Sequence, residues 1–93
     1  MKKYIVIRIV ISYAFEVIQT DVVKICKHKE TAWECIGNQF EKVWNTSEYY
    51  NSPVNAVKIM ENSAIIILKG EEDLSNSYDF IFKIKEAFEE DDE

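Results

Sequence analysis

The stretch TAWECIGNQFEKVW, residues 31–44, decides the fold that this sequence predicts, because several signals mark it as an amphipathic helix. Thr31 followed by Glu34 matches a capping box, in which each side chain accepts a hydrogen bond from a backbone N–H at the helix start. The apolar residues then recur at helical spacing on one stripe, which needs a large apolar surface to pack against. We expect the stripe to be Ala32, Trp33, Ile36, Phe40, Val43 and Trp44, with both tryptophans in the core.

The rest of the chain predicts a sheet that supplies this surface. Runs of β-branched and aromatic residues favour strands at 3–11 and 22–28 before the helix, and at 55–60, 64–69 and 78–85 after it. The last run also fits a helix over 77–90, although its alternation favours a strand. Neither glycine nor proline marks the chain reversal that we expect somewhere in residues 12–21.

The element order β-β-α-β-β-β predicts an α+β fold with two layers. One layer is a mostly antiparallel sheet of four to five strands, and the other is a single amphipathic helix packed on one face. We expect one domain over residues 1–85, followed by an acidic C-terminal tail over residues 86–93.

One helix covers only one face of a sheet, yet the runs at 3–11 and 64–69 are apolar on both alternating sets. Two explanations are open. Either a loop or the C-terminal segment covers the second face, or Val6, Val10 and part of the Ile65–Leu68 run form an apolar patch for a partner.

The sequence contains no strong catalytic, metal or nucleotide motif. Cys26, His28 and Cys35 resemble metal ligands, but structural zinc needs four ligands and these have no paired spacing. If the helix packs on a Val23/Ile25 face of the second strand, Cys35 lies on the other side of the sheet from Cys26 and His28. We therefore expect free thiols in a cytoplasmic protein, with no metal, no cofactor and no enzymatic activity.

With two glycines in the chain, a phosphate-binding loop is excluded. Gly37 lies near the apolar stripe of the predicted helix, and we expect it to allow close approach to the sheet.

Acidic residues are concentrated in the C-terminal half. Residues 1–47 carry seven Lys/Arg against five Asp/Glu, or +2, whereas residues 48–93 carry four against twelve, or −8. This distribution disfavours nucleic acid and anionic membranes as direct partners and favours a basic protein surface. The predicted partner-binding residues are acidic side chains and two loop tyrosines: Glu71, Glu72, Asp73, Asp79, Glu86, Glu89, Glu90, Tyr49 and Tyr50.

In size, charge and composition the chain resembles small acidic inhibitors encoded by phages and mobile elements, anti-CRISPR proteins among them. The resemblance rests on no motif, and no residue is carried over from it. It implies a non-catalytic inhibitor that docks on a basic, nucleic-acid-binding protein and imitates phosphate spacing. The alternative is a homo-oligomeric structural or regulatory domain, possible as a homodimer, that associates through the apolar second face of its sheet.

Overall fold

The computed structural model describes residues 2–13, 16–46, 54–69 and 77–88 of the 93-residue chain. Within these ranges the predicted α+β fold is confirmed: five strands form one sheet, and one helix packs against it. The elements in chain order are β1 (Lys2–Ser12), β2 (Val17–Cys26), α1 (Lys29–Thr46), β3 (Val54–Ile59), β4 (Ser63–Leu68) and β5 (Tyr78–Phe88).

The strands lie in the order β2-β1-β5-β4-β3, and every neighbouring pair is antiparallel. β1 therefore pairs with the last strand of the chain as well as with the second, and these three strands are also the longest. The chain passes through α1 between the two edge strands, β2 and β3. The helix consequently crosses the sheet on one face.

Two strand boundaries differ from the sequence prediction by about three residues or more. β2 begins at Val17 rather than Val22, so the reversal after β1 is short, and Glu16 within it has a left-handed φ of 51°. β5 is a strand, as the alternation favoured, and it continues to Phe88. Residues 86–88 therefore belong to the sheet, whereas residues 89–93 lie outside the described part of the chain.

The predicted capping box at Thr31 is wrong, because α1 begins two residues earlier, at Lys29. The backbone N–H of Ala32 donates to the carbonyl of His28 at 3.2 Å, which makes His28 the residue that precedes the first helical turn. Thr31 is already inside the helix. Thr31 and Glu34 have the spacing of a capping box, but Thr31 does not occupy the N-cap position that a capping box requires.

The core lies between α1 and the face of the sheet that carries Val6, which is fully buried. Phe82 of β5 is also fully buried, and its ring packs against that of Phe40 with centroids 5.5 Å apart. From the helix, Ala32, Cys35, Ile36 and Val43 are buried, and Trp33 and Phe40 pack partly buried against this core. From β4, the core includes Ala64, Ile66 and Leu68.

The prediction that Trp44 is a core residue is wrong, since 56% of its surface is exposed. Residues 32, 36, 39–40 and 43 follow each other at helical spacing along the inner side of α1. Trp44 is the next residue after Val43 and is rotated by about 100° from it, which takes the indole off the inner side.

The expected close approach of Gly37 to the sheet is also wrong. Gly37 is exposed, and within the described ranges no atom beyond its chain neighbours and the adjoining helix backbone lies within 4 Å of the position that a Cβ would occupy. The glycine therefore gives α1 no packing advantage.

A polar contact inside the two-layer structure connects β1 to the helix. The Arg8 guanidinium donates to Gln39 Oε1 at 3.4 Å and to Asp21 Oδ2 at 3.1 Å, so it joins β1, α1 and β2. The cation remains partly accessible, which avoids the cost of a fully buried charge.

Candidate functional site

The structure describes two of the nine predicted partner-binding residues, Asp79 and Glu86, and does not bring them together. In an antiparallel pair, opposite residues share a face, and Glu86 pairs with Tyr4 while Asp79 pairs with Ile11. Glu86 therefore lies on the helix-covered face, and Asp79 lies on the other. The remaining predicted residues lie outside the described ranges: Tyr49, Tyr50, Glu71, Glu72, Asp73, Glu89 and Glu90.

Both described carboxylates have partners within the chain. Lys2 Nζ lies 3.1 Å from Glu86 Oε2, and this hydrogen bond, with the charge of Glu86, raises the pKa of Lys2. The Tyr13 hydroxyl donates to Asp79 Oδ2 at 2.6 Å, and this hydrogen bond is the main reason that the pKa of Tyr13 is raised. Asp79 and Glu86 are therefore each paired within the chain and lie on opposite faces of the sheet, while the other seven predicted residues stay a prediction.

The face of the sheet opposite α1 is rich in isoleucine. We call it the isoleucine face and define it by the residues whose register places them opposite to Val6 across the sheet. Its apolar members are Ile5, Ile7, Ile9 and Ile11 of β1, Ile18, Val22 and Ile25 of β2, Ile65 and Ile67 of β4, and Ile81 of β5.

These side chains remain accessible to solvent. Ile18 is 68% exposed, Val22 61% and Ile25 58%, whereas the β1, β4 and β5 members are partly shielded by their neighbours in the sheet. At about 6.6 Å between alternate residues and about 4.8 Å between strands, each side chain covers about 32 Å² of the face, so the ten apolar ones cover about 320 Å². Typical monomers expose contiguous apolar patches of about 300–600 Å² at most, and patches of that size are often functional.

The open face uses a different set of β1 residues from the one that the sequence suggested. One of the two explanations left open placed Val6 and Val10 in an apolar patch, but their set lies on the side that α1 covers, and the open face carries the alternate set of four isoleucines. For β4 the expectation was partly correct, since Ile65 and Ile67 lie on the open face while Ile66 and Leu68 are buried.

The open face also carries a few charged groups, and β5 supplies most of them. Lys83 pairs with Ile7 and Lys85 with Ile5, so both lysines are displaced along the strand from Asp79. Lys58 of β3 lies opposite Ile65 near the edge of the sheet. The isoleucine face is thus an apolar surface with the Asp79 carboxylate toward one end, the Lys83 and Lys85 ammonium groups toward the other, and Lys58 at the β3 edge, level with Ile65.

A β-bulge explains why the second strand faces differently from the prediction. The register between β1 and β2 shifts between Val6 and Ile7, which leaves Val23 as the extra residue. Val23 packs against the core as a result, and Ile25 points to the open face. The predicted common face of Val23 and Ile25 is therefore wrong.

The same shift moves Cys26 into the core beside α1. Cys26 and Cys35 are free thiols in one buried cluster, so the prediction that the sheet separates them is wrong. Burial raises the pKa of the Cys35 thiol, and the neighbouring Cys26 adds to this effect. His28 is exposed, and among the described residues no group of three or more His, Cys, Asp or Glu side chains is arranged to hold a metal ion.

A cavity of about 240 Å³ opens on the helix side of the sheet, beyond the end of the core. Val10, Ser12, Val17, Gln19 and Tyr78 line it. Within the described part of the chain, the buried Ser12 hydroxyl has no hydrogen-bond partner. The polar groups of this lining are the Ser12 and Tyr78 hydroxyls and the Gln19 amide, and among the described residues they have no general base beside them that would activate a nucleophile.

Comparison with known protein families, curated proteins and solved structures finds no match for this chain. As for membrane insertion, the helix within the described ranges lacks the length and apolarity that a membrane-crossing helix needs.

Proposed function

We propose that this protein is a non-catalytic interaction domain that binds another protein through its isoleucine face. The observation that carries the proposal is the combination of a core between α1 and one face of the sheet with a row of accessible isoleucines on the other face. Since α1 already covers the Val6 side, exposure of a second apolar face has no role in the fold of a single chain.

The chain's remaining segments supply little that would cover this face. Outside the described ranges, the large apolar side chains are few: Met1, Phe15, Tyr49, Tyr50 and Leu74. Their sequence neighbours are mainly polar or acidic, particularly in the segments 70–76 and 89–93. Ten isoleucine and valine side chains need a larger apolar partner, which a second protein surface provides.

The acidic inhibitor hypothesis remains a prediction that concerns mainly other residues, since Asp79 alone of its described members lies on the isoleucine face. Of its proposed residues, Asp79 and Glu86 lie on opposite faces and are each paired within the chain. The other seven lie outside the described ranges. The isoleucine face therefore has the stronger support as a binding surface, while a basic, nucleic-acid-binding partner for the acidic segments is retained as the second hypothesis.

Site-specific photocrosslinking tests the proposal. A photoreactive amino acid replaces Ile18 in one variant and Ile59 in the other, and both are expressed in cells. The two positions are matched, because each is an isoleucine on an edge strand and about 70% exposed, but they lie on opposite faces of the sheet. We expect discrete crosslinked products from position 18 and not from position 59. Absence of products from position 18, or equal yields from both positions, would refute the isoleucine face as a binding surface.

A further inference from the structure

We infer that the outer edge of β2 pairs with the same edge of a second copy of this chain, in antiparallel orientation about a two-fold axis at Thr20. The two five-stranded sheets then form one sheet of ten strands, with both helices on the same side. This inference does not rest on the proposed function, because it concerns the edge of the sheet rather than the isoleucine face. Two observations carry it: the regular, exposed edge of β2 and the self-complementary order of its side chains.

The two edges of the sheet differ in how they are protected against pairing. β3 has six residues, its register is irregular between Val54 and Ala56, and it carries Lys58. Short length, bulges and lysines are features that keep edge strands from pairing with other chains. β2 is longer, and its register with β1 is uninterrupted from Val17 to Val22. That stretch contains no lysine, glycine or proline, and all six residues are exposed, so β2 is the less protected edge.

The backbone of β2 is available for pairing on its outer side. Within the part of the chain that the structure describes, no strand lies beyond β2. An edge strand points half of its N–H and C=O groups away from the sheet, where water or another strand satisfies them. α1 begins beyond the end of β2 and leads toward β3, and residues 17–22 are exposed. A strand of suitable sequence can therefore add to β2 through main-chain hydrogen bonds.

Symmetry limits how two copies of β2 can pair. Residues that lie level on neighbouring strands share a face of the sheet. A two-fold axis along the strands would place each residue level with its own copy on the opposite face, so the pairing is antiparallel, about an axis perpendicular to the sheet. The regular stretch 17–22 then allows a ladder of five residues about two centres, Gln19 and Thr20, since every other centre leaves three residues or fewer.

The side chains favour Thr20 as the centre. About Thr20, Ile18 lies opposite Val22 of the other copy on the isoleucine face, and Gln19 lies opposite Asp21 on the helix side. The two threonines meet at the axis, where their hydroxyls can form a hydrogen bond. Each of the other pairs occurs twice by symmetry, so apolar side chains meet apolar ones and an amide donor meets a carboxylate.

A centre at Gln19 lacks this match, because Asp21 would then lie opposite Val17 in both halves of the ladder. In the Thr20-centred ladder, Asp21 can accept a hydrogen bond from Gln19 without losing its partner within the chain. The Arg8 guanidinium donates to Asp21 Oδ2 at 3.1 Å, and the Asp21 side chain remains 52% exposed. The cation also reduces repulsion between the two copies of Asp21.

The first experiment measures mass in solution by light scattering at protein concentrations up to about 1 mM. Five paired residues span about 17 Å of strand, so the interface belongs to the small, weak class. We expect the mass to rise from one chain toward two, with a dissociation constant of about 0.01–1 mM. A mass that stays at one chain near 1 mM would overturn the inference.

The second experiment tests the ladder with charges at Gln19. Gln19→Lys sets an ammonium group opposite Asp21 twice and should tighten the dimer about threefold or more. Gln19→Glu sets carboxylates opposite each other and should weaken it by a similar factor. Asn38→Lys and Asn38→Glu are the controls, because they change the net charge equally on the exposed side of α1. Equal effects at the two positions, or no effect at Gln19, would overturn the inference.

The third experiment locates the axis with engineered cysteines. Thr20→Cys sets two thiols opposite each other, within the about 4.4–6.8 Å between Cα atoms that a disulfide needs. Ile18→Cys is the matched control on the same face, since its two thiols lie about 13 Å apart along the ladder. The native Cys26 and Cys35 are buried. With oxidised glutathione, we expect a disulfide-linked product of two chains from position 20 and little from position 18.

Equal yields from the two cysteine variants, or a higher yield from position 18, would overturn the inference. Circular dichroism of every variant establishes that it keeps the wild-type fold.

Edge pairing and binding through the isoleucine face are distinguishable in the photocrosslinking experiment. A product from position 18 that has the mass of two chains and decreases in Gln19→Glu supports edge pairing and gives no support to the isoleucine face. Products with other proteins support the isoleucine face, whatever the mass of the purified protein in solution.

Discussion

Replacing Gly37 by alanine is expected to increase the free energy of unfolding by about 0.5–1 kcal/mol. Gly37 lies in the middle of α1, it is exposed, and the Cβ of an alanine would meet no atom within 4 Å. Its φ is not in the left-handed region, so alanine fits the existing backbone. The gain then equals the difference in helix propensity, because glycine loses more backbone entropy on folding than alanine does.

Urea and thermal unfolding followed by circular dichroism measure this gain. For a domain of this size, about 1 kcal/mol corresponds to an increase in Tm of about 4–8 °C. The control introduces a glycine at the neighbouring exposed residue. Asn38→Gly should lower the free energy of unfolding by a few tenths of a kcal/mol.

The sign of the effect decides between two interpretations of the glycine. The sequence suggested close approach between α1 and the sheet at Gly37, and a methyl group in such a contact would destabilise the protein. The structure leaves open space there. A Gly37→Ala variant that is less stable than wild type would therefore refute the orientation of α1, whereas a more stable one supports it.

Three further predictions follow from the packing and the titrating groups. Phe82→Ala should cost about 3–5 kcal/mol because Phe82 is fully buried against Phe40, while Trp44→Ala should cost less than about 1.5 kcal/mol; equal losses in urea unfolding would contradict the orientation of the helix. The pKa of Cys35 is raised above its ordinary value of 9.0, so the stabilisation from the protonated thiol should be present below pH 9 and decline as pH rises through the folded-state pKa; unfolding at increasing pH, compared with Cys35→Ala, measures this decline, and parallel profiles would contradict it. Tyr13 should ionise at a higher pH than a free tyrosine, and Asp79→Asn should remove most of this shift; an unchanged tyrosinate absorbance titration in that variant would exclude Asp79 as the cause.

The sequence predicted the elements of the fold because local patterns carry that information. Alternation marked the strands, including β5, and helical spacing marked α1 with an inner stripe through Ala32, Ile36 and Val43. Two predictions within α1 were wrong. The helix begins at Lys29 without the expected cap. Trp44 lies one residue beyond Val43, the last buried position, and an apolar stripe in the sequence is too broad to show which of two adjacent residues points inward.

Alternation alone could not predict which residues of β2 point toward the helix. A bulge at Val23 changes which residues point inward, and its position depends on pairing with β1 rather than on β2 itself. For this reason Cys26 was expected on the wrong side of the sheet, and its proximity to Cys35 was missed. No residue of β2 signals the bulge, since neither glycine nor proline occurs in it.

The candidate site could not be located from the sequence, because its position depends on the order of the strands in the sheet. Both faces of β1 are apolar, and so are both faces of β4, so neither strand indicates which face the helix covers. β5 determines which face the helix covers. One face of β5 carries Phe80, Phe82 and Ile84, whereas the other carries Asp79, Lys83 and Lys85. Covering the first face buries two phenylalanines, whereas covering the second would bury three charges. Once β5 is known to lie between β1 and β4, the four isoleucines of β1 must face away from α1. The same strand that directs the helix to one side thus gives the open side most of its charges.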